Sequence, residues 1–194
     1  MRLNEFVNQK VINELAFPET FKGAVDRLKS AGYNSLGSGY YGQVFEKPGA
    51  DYVLKVFSNR DKAYTEFVNL VKSNSNDHFP KFRGDLVKIN DAYSAIRMEK
   101  LNPNTDEKIA SYLDYYISDG KTDYDEYFNG FDEEEADDVI YDMFESDPSL
   151  RSACNLIKSK LAKKFNIDIH DDNIMWRGTT PVIIDPASWL LHQL

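Results

Sequence analysis

The sequence predicts an α+β chain in two lobes, a small antiparallel sheet followed by a mainly helical part. Three observations predict it. Around residues 34–57, short strand-like runs alternate with glycine-containing turns, the pattern of hairpins. Beyond residue 105, apolar residues recur at three- and four-residue steps, the period of helices. Between them, Ile96-Arg97-Met98-Glu99-Lys100-Leu101 ends a strand and runs into Asn102-Pro103-Asn104, either a plain strand end or a connection between two parts. The 194 residues suit one domain, and a hydrophobic share of 42% allows a real core. The expected division is N-terminal helices at 1–32, a sheet lobe at 33–101 and a reduced helical lobe at 102–194.

Composition narrows the class. No apolar run approaches the roughly 20 residues that a membrane span needs, and Met1-Arg2-Leu3-Asn4-Glu5 opens no apolar signal region. The single cysteine, Cys154, precludes an intramolecular disulfide framework and fits a reducing cytoplasm. It falls in a helical apolar pattern, so its expected role is packing. The net charge of −9 averages two surfaces. Residues 105–147 hold 16 of the 32 acidic side chains and only Lys108 and Lys121 as bases, a net of −14 against +5 elsewhere. A solvated helical face accounts for such a run. A lure for a basic partner or a nucleic-acid mimic are the sharper readings.

Two amphipathic helices are expected first, at 3–16 and 20–31, divided by Pro18 and stopped by Gly32. Leu36-Gly37-Ser38-Gly39-Tyr40-Tyr41-Gly42-Gln43-Val44 then reads G-x-G-x-x-G-x-V. A dinucleotide site requires a helix directly after these glycines. Here Val44-Phe45-Glu46, a turn at Lys47-Pro48-Gly49-Ala50, and Val53-Leu54-Lys55-Val56-Phe57 follow. The glycines therefore sit on a β-hairpin, either as a plain turn or where their backbone can cover phosphates. Lys55 shares its strand face with Val53 and Phe57, so it points away from the ordinary solvent side.

A helix over 61–73 carries Glu66, either an exposed helix glutamate or a partner for Lys55. Strands are expected at 82–88 and 93–98. His78 has no neighbour in sequence that makes it a ligand or catalyst, so it reads as structural. The acidic segment holds two helical patterns, through Ile109, Tyr112, Leu113 and Tyr116 and through Val139, Ile140, Met143 and Phe144. Tyr124, Tyr127, Phe128 and Phe131 set it apart from a disordered tract. Its acids lack the spacing of a calcium loop. A helix capped by Ser149 and extending to Phe165 delivers the chain to Asp168-Ile169-His170-Asp171-Asp172-Asn173, then to Pro181-Val182-Ile183-Ile184-Asp185. A carboxylate, an amide five residues on, a hairpin and a second carboxylate form a common layout for phosphoryl transfer.

The ordered set resembles the protein-kinase-like superfamily over roughly 33–190. Its carriers are the glycine hairpin, Val53-Leu54-Lys55-Val56, Ala63-Tyr64-Thr65, Asp168-Ile169-His170 with Asn173-Ile174-Met175, and Asp185-Pro186-Ala187-Ser188. Within the superfamily it is most similar to the early serine/threonine protein kinases of T-seven-like bacteriophages. The resemblance implies a two-lobed kinase-like fold using ATP and Mg, acting on itself and on host bacterial proteins in the cytoplasm, with no membrane or direct nucleic-acid partner.

It further implies roles by position. Asp168 orients the substrate hydroxyl, and Asn173 and Asp185 bind magnesium. Lys55 holds the phosphates with Glu66 as partner, and Gly37, Gly39, Gly42 and Val44 cover the nucleotide. Met98 flanks adenine, while Glu99 and Leu101 offer main-chain groups. Asn166-Ile167-Asp168 stands where the family has His-Arg-Asp, and Asp185-Pro186-Ala187 where it has Asp-Phe-Gly. Nine residues follow Asp185, so no activation segment is expected. Asp168-Ile169-His170 also resembles the loop of aminoglycoside and choline phosphotransferases, whose substrates are small molecules. A third reading is a non-catalytic kinase-fold protein that holds a basic partner through the acidic segment.

Overall fold

The computed structural model of the chain describes residues 20–104, 106–120 and 133–188. The helix expected at 3–16 and the aromatic group Tyr124, Tyr127, Phe128 and Phe131 lie outside these residues. The chain divides into two compact units. One holds the described residues up to Asp61 with Lys81–Lys100; the other holds Lys62–Pro80 with those from Leu101 onward. The architecture is α+β, as the sequence predicts.

The first unit is a five-stranded antiparallel sheet with one helix. Helix α1 (Phe21–Ser30) begins at Thr20, whose hydroxyl accepts from the Gly23 N–H at 3.1 Å, and stops at Gly32, where φ is 83°. The strands are β1 (Asn34–Ser38), β2 (Gly42–Glu46), β3 (Tyr52–Ser58), β4 (Phe82–Lys88) and β5 (Tyr93–Glu99), in the spatial order β1-β2-β3-β5-β4. Leu54 and Val56 of β3 join Val25 and Leu28 of α1, Phe45, Ile89 and Ala95 in one core. Because side chains alternate along a strand, Val53, Lys55 and Phe57 lie on the opposite face of the sheet.

The second unit is mainly helical. Helix α2 (Lys62–Ser73) buries Ala63, Tyr64, Phe67, Val68 and Leu70. It clusters with this unit, not with the strands among which the sequence division places it. Helices α3 (Glu107–Ser118), α4 (Glu133–Ser146) and α5 (Pro148–Lys160) pack through Ala110, Leu113 and Ile117, Ala136 and Phe144, and Ala153, Cys154 and Ile157. Burial pushes the Cys154 thiol up to about 12, so it is an inert packing group, as expected. The outer side of α4 exposes Glu135, Asp137, Asp138, Asp142 and Glu145, the arrangement a solvated acidic face requires. None of the described helices is long and apolar enough to cross a membrane.

Two details of α5 correct the sequence expectation. Its cap is Asp147, not Ser149: the Asp147 carboxylate accepts from the Ser149 and Leu150 N–H groups at 3.1 and 3.2 Å, with Pro148 in the first turn. The helix ends at Lys160. Leu161 and Phe165 stay buried because turns carry the chain on, with Phe165 N–H donating to the Leu161 carbonyl at 3.0 Å.

Short strands complete the unit: β6 (Asn102–Pro103), β7 (Asn166–Ile167), β8 (Ile174–Arg177), β9 (Thr180–Ile183) and β10 (Ala187–Ser188). They form an antiparallel β6-β8-β9 sheet and a β7-β10 pair. His78, which the sequence leaves without a partner, has three from distant segments. Nδ1 lies 2.8 Å from the Pro181 carbonyl, and Nε2 lies 3.0 Å from both the Ser149 hydroxyl and the Asp147 carboxylate. Since Ser149 Oγ donates to Asp147, both ring nitrogens face oxygen atoms that can accept. The Arg177 guanidinium donates to the carbonyls of Asp77 and Phe79 at 2.6 and 3.0 Å, so segment 76–79 fastens the β8–β9 hairpin to the start of α5.

Candidate active site

In the second unit, three of the predicted residues lie in one bonded arrangement. Strand β7 ends at Ile167 and leaves Asp168 exposed, between half-buried Ile167 and buried Ile169. A one-turn 3-10 helix, Asp171–Asn173, then swings the chain into β8. The turn is closed by Asn173 N–H donating to the His170 carbonyl at 2.8 Å. It brings the Asn173 side chain back to Asp168, where Nδ2 donates to the main-chain carbonyl at 2.7 Å. This is what the five-residue spacing does physically.

Asp185 reaches the same place through its two neighbours. Ile184 N–H donates to the Asn173 carbonyl at 2.9 Å, and the Pro186 carbonyl accepts from Asp168 N–H at 3.0 Å. Strand β10 then pairs with β7, with Ala187 opposite Ile167 and Ser188 opposite Asn166. Proline at 186 leaves this register intact, because Pro186 contributes only its carbonyl. Asp168, Asn173 and Asp185 thus belong to one backbone network.

The donor set suits a hard cation. Asn173 spends its amide nitrogen on Asp168, so its Oδ1 is the atom that could serve a ligand, and Asp185 could add carboxylate oxygens. One amide and one carboxylate oxygen match how magnesium is held, with water and phosphate oxygens completing its shell. Among the described residues, no group of three or more histidine, cysteine or acidic side chains forms a metal cluster.

The first unit carries the glycine hairpin and Lys55. Strands β1 and β2 pair from Asn34–Glu46 to Ser38–Gln43, with an irregularity at exposed Leu36. The tip closes through Gly39 N–H to the Gly42 carbonyl at 2.9 Å. The three glycines differ in cause. A Cβ on Gly42 would lie 2.7 Å from the Val56 carbonyl oxygen and 2.9 Å from Phe57 Cβ, so only glycine lets β2 approach β3 there. Gly37 and Gly39 have open space, so packing does not dictate them. Tyr40, 85% exposed, meets Tyr41 edge-on at 4.8 Å.

Lys55 is half-buried and paired across the sheet with Val44 on β2 and Ile96 on β5. Its cross-strand neighbours are therefore apolar. Met98, buried, lies two residues beyond Ile96 on the same face of β5. Glu99 is committed within the sheet: its N–H donates to the Lys81 carbonyl at 3.0 Å and its carboxylate accepts from Lys81 N–H at 2.7 Å. Of the main-chain groups it was expected to offer, the N–H is thus taken within the sheet. Leu101, half-buried, opens the second unit. Glu66, expected beside Lys55, lies exposed on α2 with its carboxylate 3.3 Å from Lys164 Nζ.

One residue that the sequence reading passed over touches the candidate site. Asp114 of α3 is 2% exposed, and its Oδ1 accepts from Ile169 N–H at 3.2 Å. The signal was present in the pattern: Asp114 falls on the apolar face of its helix, among Ala110, Leu113 and Ile117.

No family model matches the chain, and no curated protein matches it significantly. Among solved structures it is similar to the Cydia pomonella granulovirus kinase PK-1, at 16% identity and a TM-score of 0.40, covering 84% of this chain and 57% of that one. It is also similar to aminoglycoside phosphotransferase APH(4)-Ia, at 13% identity and a TM-score of 0.37, covering 84% and 69%. A third similarity is to the streptomycin–ATP complex of APH(2")-IIa, at 15% identity and a TM-score of 0.35, covering 89% and 74%.

Proposed function

We propose that the chain is a kinase-like phosphotransferase that moves the terminal phosphoryl group of ATP to a hydroxyl, with magnesium. The observation that carries this reading is the bonded network of Asp168, Asn173 and Asp185. It ties the main chain at Asp168 to the Asn173 side chain and to Pro186, and that of Asn173 to Ile184, so that both neighbours of Asp185 are held, and it leaves the Asp168 side chain exposed. In this reading Asp168 accepts the hydroxyl proton as the oxygen attacks phosphorus, and the ADP oxygen leaves with the bond electrons. Asn173 and Asp185 would hold magnesium, which would supply positive charge against the phosphates. Lys55 and the hairpin Gly37–Val44 contribute a phosphate-binding cation and main-chain N–H groups.

The preferred acceptor is a serine or threonine hydroxyl of a protein, as the resemblance to the phage kinases implies, with host bacterial proteins and the chain itself as substrates. A small cationic acceptor is the second reading. The exposed carboxylates of α4 favour it, since they belong to the same unit as Asp168 and would draw such a substrate. Incubation with γ-labelled ATP, magnesium and either bacterial lysate or an aminoglycoside panel separates the two. Label in protein, lost in Asp168→Ala, supports the first; label only in the small molecules supports the second. No transfer to either, by folded protein that binds ATP, overturns the phosphotransferase reading.

A further inference from the structure

The peptide bond between Asp168 and Ile169 is held at both of its polar atoms. Its carbonyl accepts from Asn173 Nδ2 at 2.7 Å, and its N–H donates to Asp114 Oδ1 at 3.2 Å. One bond earlier, Asp168 N–H donates to the Pro186 carbonyl at 3.0 Å. A peptide plane fixed at both ends resists rotation about the dihedrals on either side. That sets the direction in which the Asp168 side chain leaves the main chain. Two of the three partners come from the same C-terminal stretch. Asp114 is the one supplied by a separate helix, 55 residues away in sequence.

Packing does not account for a carboxylate at this position. Asp114 and Ile169 are both almost wholly buried, and Ala110, Leu113 and Ile117 share the helix face. Burying a carboxylate is unfavourable unless it accepts hydrogen bonds. An apolar side chain would fill the same space without that penalty, but it would leave the Ile169 N–H without an acceptor. We infer that Asp114 is a positioning residue: from α3 it locks the peptide that follows Asp168 and so aims the candidate base. Its effect on rate rests on the phosphotransferase reading; the bond itself does not.

The test compares Asp114→Leu with Asp114→Asn in the full chain. Leucine keeps the volume and removes the acceptor; asparagine keeps an accepting oxygen. Asp114→Leu is expected to unfold at the wild-type temperature or above, yet to lose between about tenfold and a hundredfold in kcat, the scale of a misaimed catalytic group. Its KM for ATP should stay within about twofold of wild type, the pattern of a lost interaction made only in the transition state. Asp114→Asn is expected to recover most of that rate.

Amide exchange supplies a readout independent of activity. In the wild type, Ile169 N–H should exchange as slowly as the buried amides of α3, and in Asp114→Leu at least about tenfold faster while α3 stays protected. Fast exchange of Ile169 in the wild type overturns the inference, as does a stable Asp114→Leu protein with wild-type kcat. Should the wild type transfer no phosphate to any acceptor, the phosphotransferase reading fails, and Ile169 exchange alone decides whether Asp114 holds the loop.

Discussion

At the hairpin of the first unit, Gly37 and Gly39 border open space, Tyr40 is 85% exposed, and Gly39 N–H to the Gly42 carbonyl closes the tip. Around Asp168 in the second unit, the flanking N–H groups and the intervening carbonyl all have partners, drawn from Pro186, Asn173 and Asp114. The contrast fits two tasks. A group that takes a proton must be aimed before the reaction, because misplacement is costly in rate. A cover over a nucleotide need only offer backbone N–H groups and let the ligand in and out. On the proposed function, the bonded partners gather where a group has to be aimed.

The sharpest way to break that contrast is to remove the aimed group. Asp168→Ala should lower phosphoryl transfer by about two to four orders of magnitude, the usual contribution of a general base. ATP affinity, measured by calorimetry, should stay near wild type. Asp185→Ala should remove the magnesium dependence of whatever transfer remains, since the ion has lost its carboxylate. A magnesium titration of rate checks it, with Asn173→Ala a weaker case that also releases the Asp168 carbonyl.

The hairpin side is sharpened by its glycines. Gly42→Ala should destabilise the fold by about 1–3 kcal/mol, because its methyl group meets the β3 backbone and overpacking has that cost. Gly37→Ala and Gly39→Ala should change stability by less than about 0.5 kcal/mol, as at open surface positions. Denaturant unfolding of the three separates a packing glycine from a tip glycine.

The smallest effect concerns the support behind the site. Burial alone would raise the Asp147 carboxyl, but the Ser149 hydroxyl, the Leu150 N–H and the charge of His78 outweigh it and hold it below the usual range. A carboxyl depressed on folding contributes stability at pH values above its unfolded range, and that contribution is lost as pH falls through its folded value. With the Asp147 side chain 42% exposed, solvent screening keeps this under about 1 kcal/mol. Asp147→Asn should flatten the acid limb of a stability-against-pH curve by that amount.

Much of this layout was legible in the residues. The hairpin followed from what succeeds the glycines, and Lys55 from the apolar neighbours on its own strand face. The union of Asp168 and Asn173 followed from a five-residue spacing that one 3-10 turn closes. What was hidden was carried by contacts between distant segments. His78 looks idle until Pro181, Ser149 and Asp147 arrive beside it. Glu66 sits one helix turn from several buried residues, but its charge partner, Lys164, lies 98 residues away. Glu99 was read for its main-chain groups; that the Lys81 carbonyl takes its N–H shows only in the fold. Asp114 was visible as an acid on an apolar helix face, a local inconsistency of the kind that marks functional or strained positions.

The central claim is that the Asp168–Asn173–Asp185 network performs magnesium-dependent phosphoryl transfer. A single-turnover assay with γ-labelled ATP tests it most directly, using wild type and Asp168→Ala with equal ATP affinity and equal folded fraction. The account predicts labelled product from the wild type with magnesium, none above background with chelator, and a fall of at least about a hundredfold in Asp168→Ala. Equal transfer by the two proteins, or transfer indifferent to magnesium, would contradict it.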